Sequence, residues 1–408
     1  MREQSKFGTR LKFVAHIEMG QSPPSTEYNL DDNGLPFLQG TAYFGREFPD
    51  PKVFCDSPNK VASSGDILFS VRAPVGELNI ANQAYGIGRG LCAVRAGSRL
   101  NTRFTWWTLH EVRGQLNYVT TGSTYDAVSV EDIANIRLPD KSINEQGAIA
   151  DFLDCETAKI DALIAAKERL LGILAEKRRA LITHTVTRGM NPDAPFRDSG
   201  IPWLGQIPAH WKTKRSKWLF IERDERSTSG VEDLLSLRME RGLVPHNEVS
   251  EKQTRAEELI GYKKTSPNEI VVNRMRAASG LIAVSPQDGL VSPDYAVFQT
   301  AQDVDPYYFT TLFRTKLLQA VFRSESTGLG TGSSGFLRLY SENFLSLWFP
   351  YPPYQEQLTI VAYIKQETTK LDTMRDAVDK SIGLLKERRA ALIAAAVTGS
   401  IDVRREVA

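Results

Sequence analysis

Two stretches of this chain, about two hundred residues apart, are nearly one element written twice. Residues 145–187 read EQGAIADFLDCETAKIDALIAAKERLLGILAEKRRALITHTVT, and residues 356–398 read EQLTIVAYIKQETTKLDTMRDAVDKSIGLLKERRAALIAAAVT. They align without a gap. Glu145-Gln146 meets Glu356-Gln357, and Glu156, Thr157 and Lys159 meet Glu367, Thr368 and Lys370. Asp161 falls on Asp372, Arg178 on Arg389, and Val186-Thr187 on Val397-Thr398. In the first copy Leu153, Ile160, Leu174 and Leu181 keep a seven-residue register broken by Lys167, with Leu163 and Leu170 at a second seam position. In the second copy Ile364, Leu371, Val378, Leu385 and Leu392 repeat it, with Ile360 and Met374 as companions. Such a sustained apolar repeat marks a coiled-coil seam. Each helix should reach roughly 60 Å at 1.5 Å per residue. Either helix could instead cover its own domain, but their matching length and register favour mutual, antiparallel pairing. A long helix written twice, with a globular stretch before each copy, describes a pseudo-two-fold molecule.

Four segments follow from the repeat. Residues 1–142 mix short apolar runs (VFCD, DILFSVRAP, LCAVRA, IRLP) with Gly, Pro and Asn, and read as strands and loops with a helix near 103–116. Residues 143–190 form the first long helix. Residues 191–354 form a second mixed stretch, opened by NPDAPFRDSGIPWLGQIPAHW, and residues 355–408 form the second long helix and a tail. The expected class is α+β. The mixed stretches echo one another faintly: GDILFSVRA (65–73) resembles NEIVVNRMR (268–276), each followed by strands LNIAN or LIAVS and then LCAVRA or YAVFQT. Duplicated helices with diverged domains suit two domains that read different things.

At 408 residues the chain suits two domains rather than one core. Its net charge of +1, roughly balanced within each globular stretch, argues neither for nor against DNA, so a DNA-binding face must come from local sorting of charge. No apolar run is long enough to span a bilayer, and the N-terminus lacks a signal peptide's apolar core. Cys55, Cys92 and Cys155 are scattered, which fits buried thiols in a reducing cytoplasm.

The paired EQ…ET.K(I/L)D…R.ALI…VT helices, the linker DSGIPWLGQIPAHW and the opening RLKFVAHIEMGQSPPS together resemble the specificity subunit of a type I restriction–modification enzyme, over essentially the whole chain. The resemblance implies two target recognition domains separated by an antiparallel coiled coil. Each domain would read one half of an asymmetric, bipartite site in double-stranded DNA, the first the 5′ half and the second the 3′ half. The coiled coil would dock two adenine-N6 methyltransferase subunits, and restriction–translocase subunits would join the larger complex. The chain itself would be non-catalytic, cytoplasmic and free of cofactor; S-adenosylmethionine, ATP and Mg would be bound by the partners. The competing class is a two-armed coiled-coil adaptor that binds proteins and never DNA.

Groove readout needs forked donors or amides that reach base edges. In the first domain the candidates are Arg72, then Thr121, Ser123, Thr124 and Tyr125 in a polar loop, with Gln83, Tyr85 and Arg89 secondary. In the second they are Asn273, Arg274 and Arg276, then Ser279, Tyr295, Ser326, Thr327 and Thr331. Lys212, Lys214, Arg215 and Lys217 beside Trp211 and Trp218, and the pair Lys263-Lys264, suit phosphate contact or plain solvated surface. Arg178 and Arg389 read most simply as members of helix charge pairs, with docking of a partner the functional alternative.

Enzyme motifs are weak. Tyr351-Pro352-Pro353-Tyr354 resembles an amino-methyltransferase motif, but Tyr351 is a poor substitute for the acceptor oxygen needed at its first position. Pro293-Asp294 lacks a following Glu-x-Lys, five scattered His show no metal spacing, and there is no P-loop.

Overall fold

The computed structural model describes residues 7–119, 128–251, 255–329 and 336–403. The long helices run Ile143–Arg188 and Tyr354–Thr398. The chain forms two compact units: Met1–Glu168 with Asp379–Ala408, and Arg169–Val378. Each unit therefore holds one globular domain and half of each long helix.

In the first unit, β1 (Phe7–Arg10) is followed by β2 (Ala15–Met19), β3 (Ile67–Ser70), β4 (Leu78–Ile80), β5 (Leu91–Ala96) and β6 (Arg137–Pro139). Strands β2, β5, β3 and β4 make an antiparallel sheet in that order, and β1 pairs with β6. Alternation of side chains along a strand divides the apolar runs between two cores. Ile67, Phe69, Cys92 and Val94 face the core built with the helix Thr102–Val119, while Leu68, Leu91 and Ala93 face a second core with Tyr85 and Leu38.

The second unit repeats this plan. After β7 (Lys212–Arg215) come β8 (Phe220–Arg223), β9 (Ile270–Asn273), β10 (Ile282–Val284), β11 (Tyr295–Thr300) and β12 (Trp348–Tyr351). The sheet order is β8-β11-β9-β10, and β7 pairs with β12. Ile270, Val272, Ala296 and Phe298 enter one core; Val271 and Val297 enter the other. The echoed segments 65–73 and 268–276 thus occupy the same strand of the same sheet. Each opens on a left-handed residue, Gly65 or Asn268, followed by a buried acid. Asp66 accepts from Ser63 N–H at 2.8 Å and from Arg95; Glu269 accepts from Ser266 N–H at 2.8 Å and from Arg223.

The Glu-Gln start of each long helix anchors it to its domain. Gln146 accepts from Asn101 N–H at 2.8 Å and donates to the Lys141 and Arg99 carbonyls. Gln357 accepts from Asp305 N–H at 2.8 Å and donates to the Pro352 and Asp303 carbonyls. Asn101 and Asp305 each precede a domain helix, Thr102–Val119 or Pro306–Phe313, so one buried amide ties two helix starts together.

Within each unit the helix halves run antiparallel. In the first, Asp161 meets Arg389, while Ile149, Phe152 and Leu153 share a core with Ile393, Ala396 and Val397. In the second, Arg178 meets Asp372, while Ile182 and Val186 share a core with Ile360 and Ile364. Leu153, Ile160, Ile364 and Leu371 are buried, and Leu174, Leu181, Val378, Leu385 and Leu392 half-buried. The expected second seam position is a correction: Leu163, Leu170 and Met374 are 51%, 41% and 54% exposed. Four residues after Leu153 and Ile364 the buried place is taken by Thr157 and Thr368, whose hydroxyls donate to the Leu153 and Ile364 carbonyls. A threonine that satisfies its hydroxyl on its own helix needs no partner across the seam. Among the cysteines Cys55 and Cys92 are buried, Cys92 with its thiol pushed up to about 12 by burial, but Cys155 is exposed.

Candidate nucleic-acid interface

In the first domain the sequence candidates sort into three places. Arg72 leaves the sheet just after β3, in a turn where Ser70 Oγ donates to the Pro74 carbonyl at 2.6 Å and accepts from Glu77 N–H at 2.8 Å. Arg89 lies in the turn before β5. Both guanidinium side chains are exposed, and both line a cleft of about 220 Å³ with Gln39, Thr41 and Gly90. The backbones here approach so closely that a Cβ on Gly88 would fall 2.3 Å from Gln39 Oε1, and one on Gly90 2.5 Å from the Gln39 carbonyl. Glycine permits that approach. Gln39 exchanges hydrogen bonds with Ser22 at 2.8 and 3.0 Å, and Arg89 N–H donates to the same hydroxyl at 3.3 Å.

Gln83 is exposed, but Tyr85 is 1% exposed and donates to Asn82 Oδ1 at 2.5 Å. It is a core tyrosine, which corrects its place among the readers. Thr121, Ser123, Thr124 and Tyr125 lie outside the described residues. Ser22, Gln39 and Thr41 were missed, although the polar run Gln39-Gly40-Thr41 directly after an apolar strand was a signal for them.

In the second domain Asn273 ends β9 and turns the chain, its Oδ1 accepting from Met275 and Arg276 N–H at 3.1 and 3.2 Å. That turn presents Arg276 and then Ser279, both exposed. Tyr295 stands opposite Asn273 in the ladder. Burial raises its phenol pKa, opposed by the Asn273 hydrogen bond and by the charges of Arg238 and Arg276. Arg238, Arg276 and Tyr295 therefore form one cluster, of which Arg238 was not anticipated.

Arg274 is a second correction. It donates to Glu222 and, at 2.9 Å, to Ser341 Oγ, so it clamps the sheet to the short helix Ser341–Ser346 rather than pointing outward. Ser326 donates to the Phe322 carbonyl at 2.5 Å as a helix end, and Thr327 is exposed on the strand Thr327–Leu329. Thr331 lies outside the described residues.

The basic patches divide likewise. Lys263 is 2% exposed and held by Asp224 at 3.0 Å and Glu222 at 3.4 Å, and Lys264 pairs with Glu225 and Glu232. Lys214 lies 3.8 Å from the Tyr351 ring centroid and Arg215 donates to the Ser346 carbonyl. Lys212 and Lys217 are exposed, Lys217 against the exposed Trp218 ring; Trp211 is buried. Among the described residues no group of His, Cys, Asp and Glu could hold a metal ion, and no helix is long and apolar enough to cross a membrane.

Residues 9–170 match the profile of the type I restriction modification DNA specificity domain. The type I restriction enzyme MjaX specificity subunit of Methanocaldococcus jannaschii is 36% identical over 166 residues, 39% of this chain and 39% of that relative's own length. The type I restriction enzyme EcoDI specificity subunit of Escherichia coli is 22% identical over 373 residues, 84% of this chain and 78% of that one. The crystal structure of the HsdS subunit from Thermoanaerobacter tengcongensis shares the fold over 98% of this chain and 99% of its own, with TM-score 0.57 and 16% identity. Residues 9–170 thus match the type I restriction modification DNA specificity domain, and nearly the whole chain, with its duplicated helices and twin sheets, shares the fold of the HsdS subunit.

Proposed function

We propose that this chain reads an asymmetric, bipartite sequence in double-stranded DNA, with one half-site per globular domain, the 5′ half in the first. On this reading the paired long helices space the half-sites and carry two adenine-N6 methyltransferase subunits, through which restriction–translocase subunits join. The chain is then a non-catalytic cytoplasmic subunit, and S-adenosylmethionine, ATP and Mg belong to its partners.

The observation that carries this reading is duplication with divergence. One sheet order and one glutamine-anchored helix start occur in both units, while the residues presented at the sheet's edge differ. Two unlike half-sites call for this: a common frame twice over, with different donors on each. In the first domain the proposed readers are Arg72, Arg89 and Gln39, with Gln83 and the loop residues Thr121, Ser123, Thr124 and Tyr125. In the second they are Arg276, Ser279, Tyr295 and Arg238, with Asn273 setting the turn and Thr327 and Thr331 beside it. Lys212 and Lys217 would touch phosphate. Helices of 46 and 45 residues are each about 70 Å long, enough to set half-sites one DNA turn apart, roughly 34 Å.

The test is to co-express the chain with its methyltransferase partner and map methylated adenines by single-molecule sequencing. A bipartite motif is expected, and Arg276→Ala should relax only the half read by the second domain. Absence of any motif, with the complex intact, would favour the protein-binding adaptor.

A further inference from the structure

The two helix charge pairs are equivalent in sequence and unequal in chemistry. In the first unit Arg389 takes both Asp161 oxygens, at 2.9 and 3.4 Å, and its guanidinium lies 5.8 Å from the Trp107 ring centroid. In the second unit the matching Arg178 reaches Asp372 at 3.5 Å, and its buried Nε has no hydrogen-bond partner among the described residues. Both aspartates are shared, Asp161 with Arg46 at 2.6 Å and Asp372 with Arg375 at 3.4 Å, so the inequality lies in the two arginines, Arg389 and Arg178.

The anchoring glutamines explain the difference. They fix Asn101 and Asp305 as equivalent, so the place of Trp107, six residues later, is taken in the second domain by Thr311. With the indole gone, the space beside Arg178 stays open as a cleft of about 940 Å³ lined by Thr311. Five cations, Arg178, Arg179, Arg314, Lys316 and Arg375, line it against three carboxylates, Glu176, Glu240 and Asp372. The hydrogen bond of Arg314 goes to the Met239 carbonyl, a neutral acceptor. Its pKa lies below the usual arginine range, because the surrounding protein disfavours its charge and Arg178 repels it. Two neighbouring guanidinium groups around an open cleft are relieved by an anion between them.

We propose that this cleft binds the phosphate group of a small molecule, with Arg178 and Arg314 as its principal ligands. Arg375 is already paired with Asp376 at 2.9 Å, so the other four cations exceed the three carboxylates by one, and the Arg178–Arg314 pair offers two guanidinium forks to the three oxygens of a phosphate monoester, more than a single carboxylate can engage. Guanidinium forks suit phosphate oxygens, and the cleft has the size of a small-molecule site. Bound there, the phosphate would join the end of the first long helix to the domain helix Pro306–Phe313. The site goes beyond DNA reading and does not depend on it.

The full chain would be titrated with inorganic phosphate at constant ionic strength, following ³¹P line broadening and thermal unfolding. Parallel arms with pyrophosphate and AMP would separate a free phosphate site from a nucleotide site. Saturable phosphate binding is expected, weakened roughly tenfold or more by Arg178→Gln or by Arg314→Gln. Arg389→Gln, the same chemistry outside the cleft, should leave phosphate affinity unchanged. Arg314→Gln lies at the cleft surface and keeps the test valid should Arg178→Gln misfold. No saturable binding of any of the three anions would overturn the proposal, as would binding that survives both cleft substitutions. Tighter competition from duplex DNA or polyglutamate than from AMP and pyrophosphate would also overturn it, in favour of a macromolecular polyanion.

Discussion

The first domain backs its four-stranded sheet with a second sheet of five short strands, whereas the second domain flanks the same four strands with separate two-stranded pairs. The shared part contains the acid anchor at the start of the strand third in each sheet's order and the glutamine at the start of the long helix. What differs on this common frame is the set of exposed arginines: Arg72 and Arg89 against Gln39 in one domain, Arg238 and Arg276 around Tyr295 in the other. Framework and presentation are therefore separable. Buried, mutually satisfied groups tolerate little change, while exposed side chains on a fixed sheet can differ at little cost to folding.

Independence of the two units is the part of this comparison most easily broken. Phe220 sits among Phe298, Phe309, Phe313, Phe344 and Phe349, all within 6.5 Å between ring centroids. Phe220→Ala should cost about 3–5 kcal/mol in the second unit. Calorimetry should show one transition displaced and the other in place. Equal displacement of both would mean that the units unfold as one, and the domain-by-domain comparison would fail.

The glutamine anchors sharpen it next. Gln146→Ala and Gln357→Ala each strand a buried N–H and two carbonyls, at about 2–3 kcal/mol apiece. Denaturant titration of each variant should give matching losses. A loss confined to one variant would show that the anchors are alike in geometry and unlike in burden.

These features were legible to different depths. The helices, their register and the Gln146/Gln357 equivalence could be read directly, because periodicity and an ungapped repeat are local properties of a sequence. The twin sheets showed as an echo, since Gly65-Asp66 and Asn268-Glu269 serve the same turn. Arg274 could not be read correctly: the group that neutralises it, Glu222, lies 52 positions away and meets it only across the sheet. Tyr85 misled for a related reason, since Asn82, Gln83 and Tyr85 look like a polar loop until the ring packs between the two sheets against Leu38, Leu68 and Leu91. The heptad marked Leu163 and Met374 as apolar but carried no information on how much of each helix the partner covers.

The helix charge pairs offer a smaller contrast. Arg389→Gln removes a two-oxygen contact and should cost about 1 kcal/mol, while Arg178→Gln removes one long contact and should cost a few tenths. Paired denaturation curves would resolve the difference. A larger cost for Arg178→Gln would contradict the unequal pairing from which the anion cleft is argued.

Acid pH gives the smallest effect. Asp224 lies below the ordinary carboxylate range, first because Lys263 hydrogen-bonds it and then through the Lys263 and Arg226 charges, with burial opposing. A folded pKa below the unfolded one, about 3.9, means that the contribution is complete above that value and lost as pH falls through the folded pKa. Asp224 is 57% exposed, so solvent screening limits the contribution to a few tenths of a kcal/mol. Asp224→Asn should therefore lower the stability of the second unit slightly at pH 7, and the difference from the unaltered protein should close as pH falls through the lowered folded pKa. A gap that persisted below it would mean that Asp224 acts through packing, and that Lys263 is kept buried by Glu222 instead.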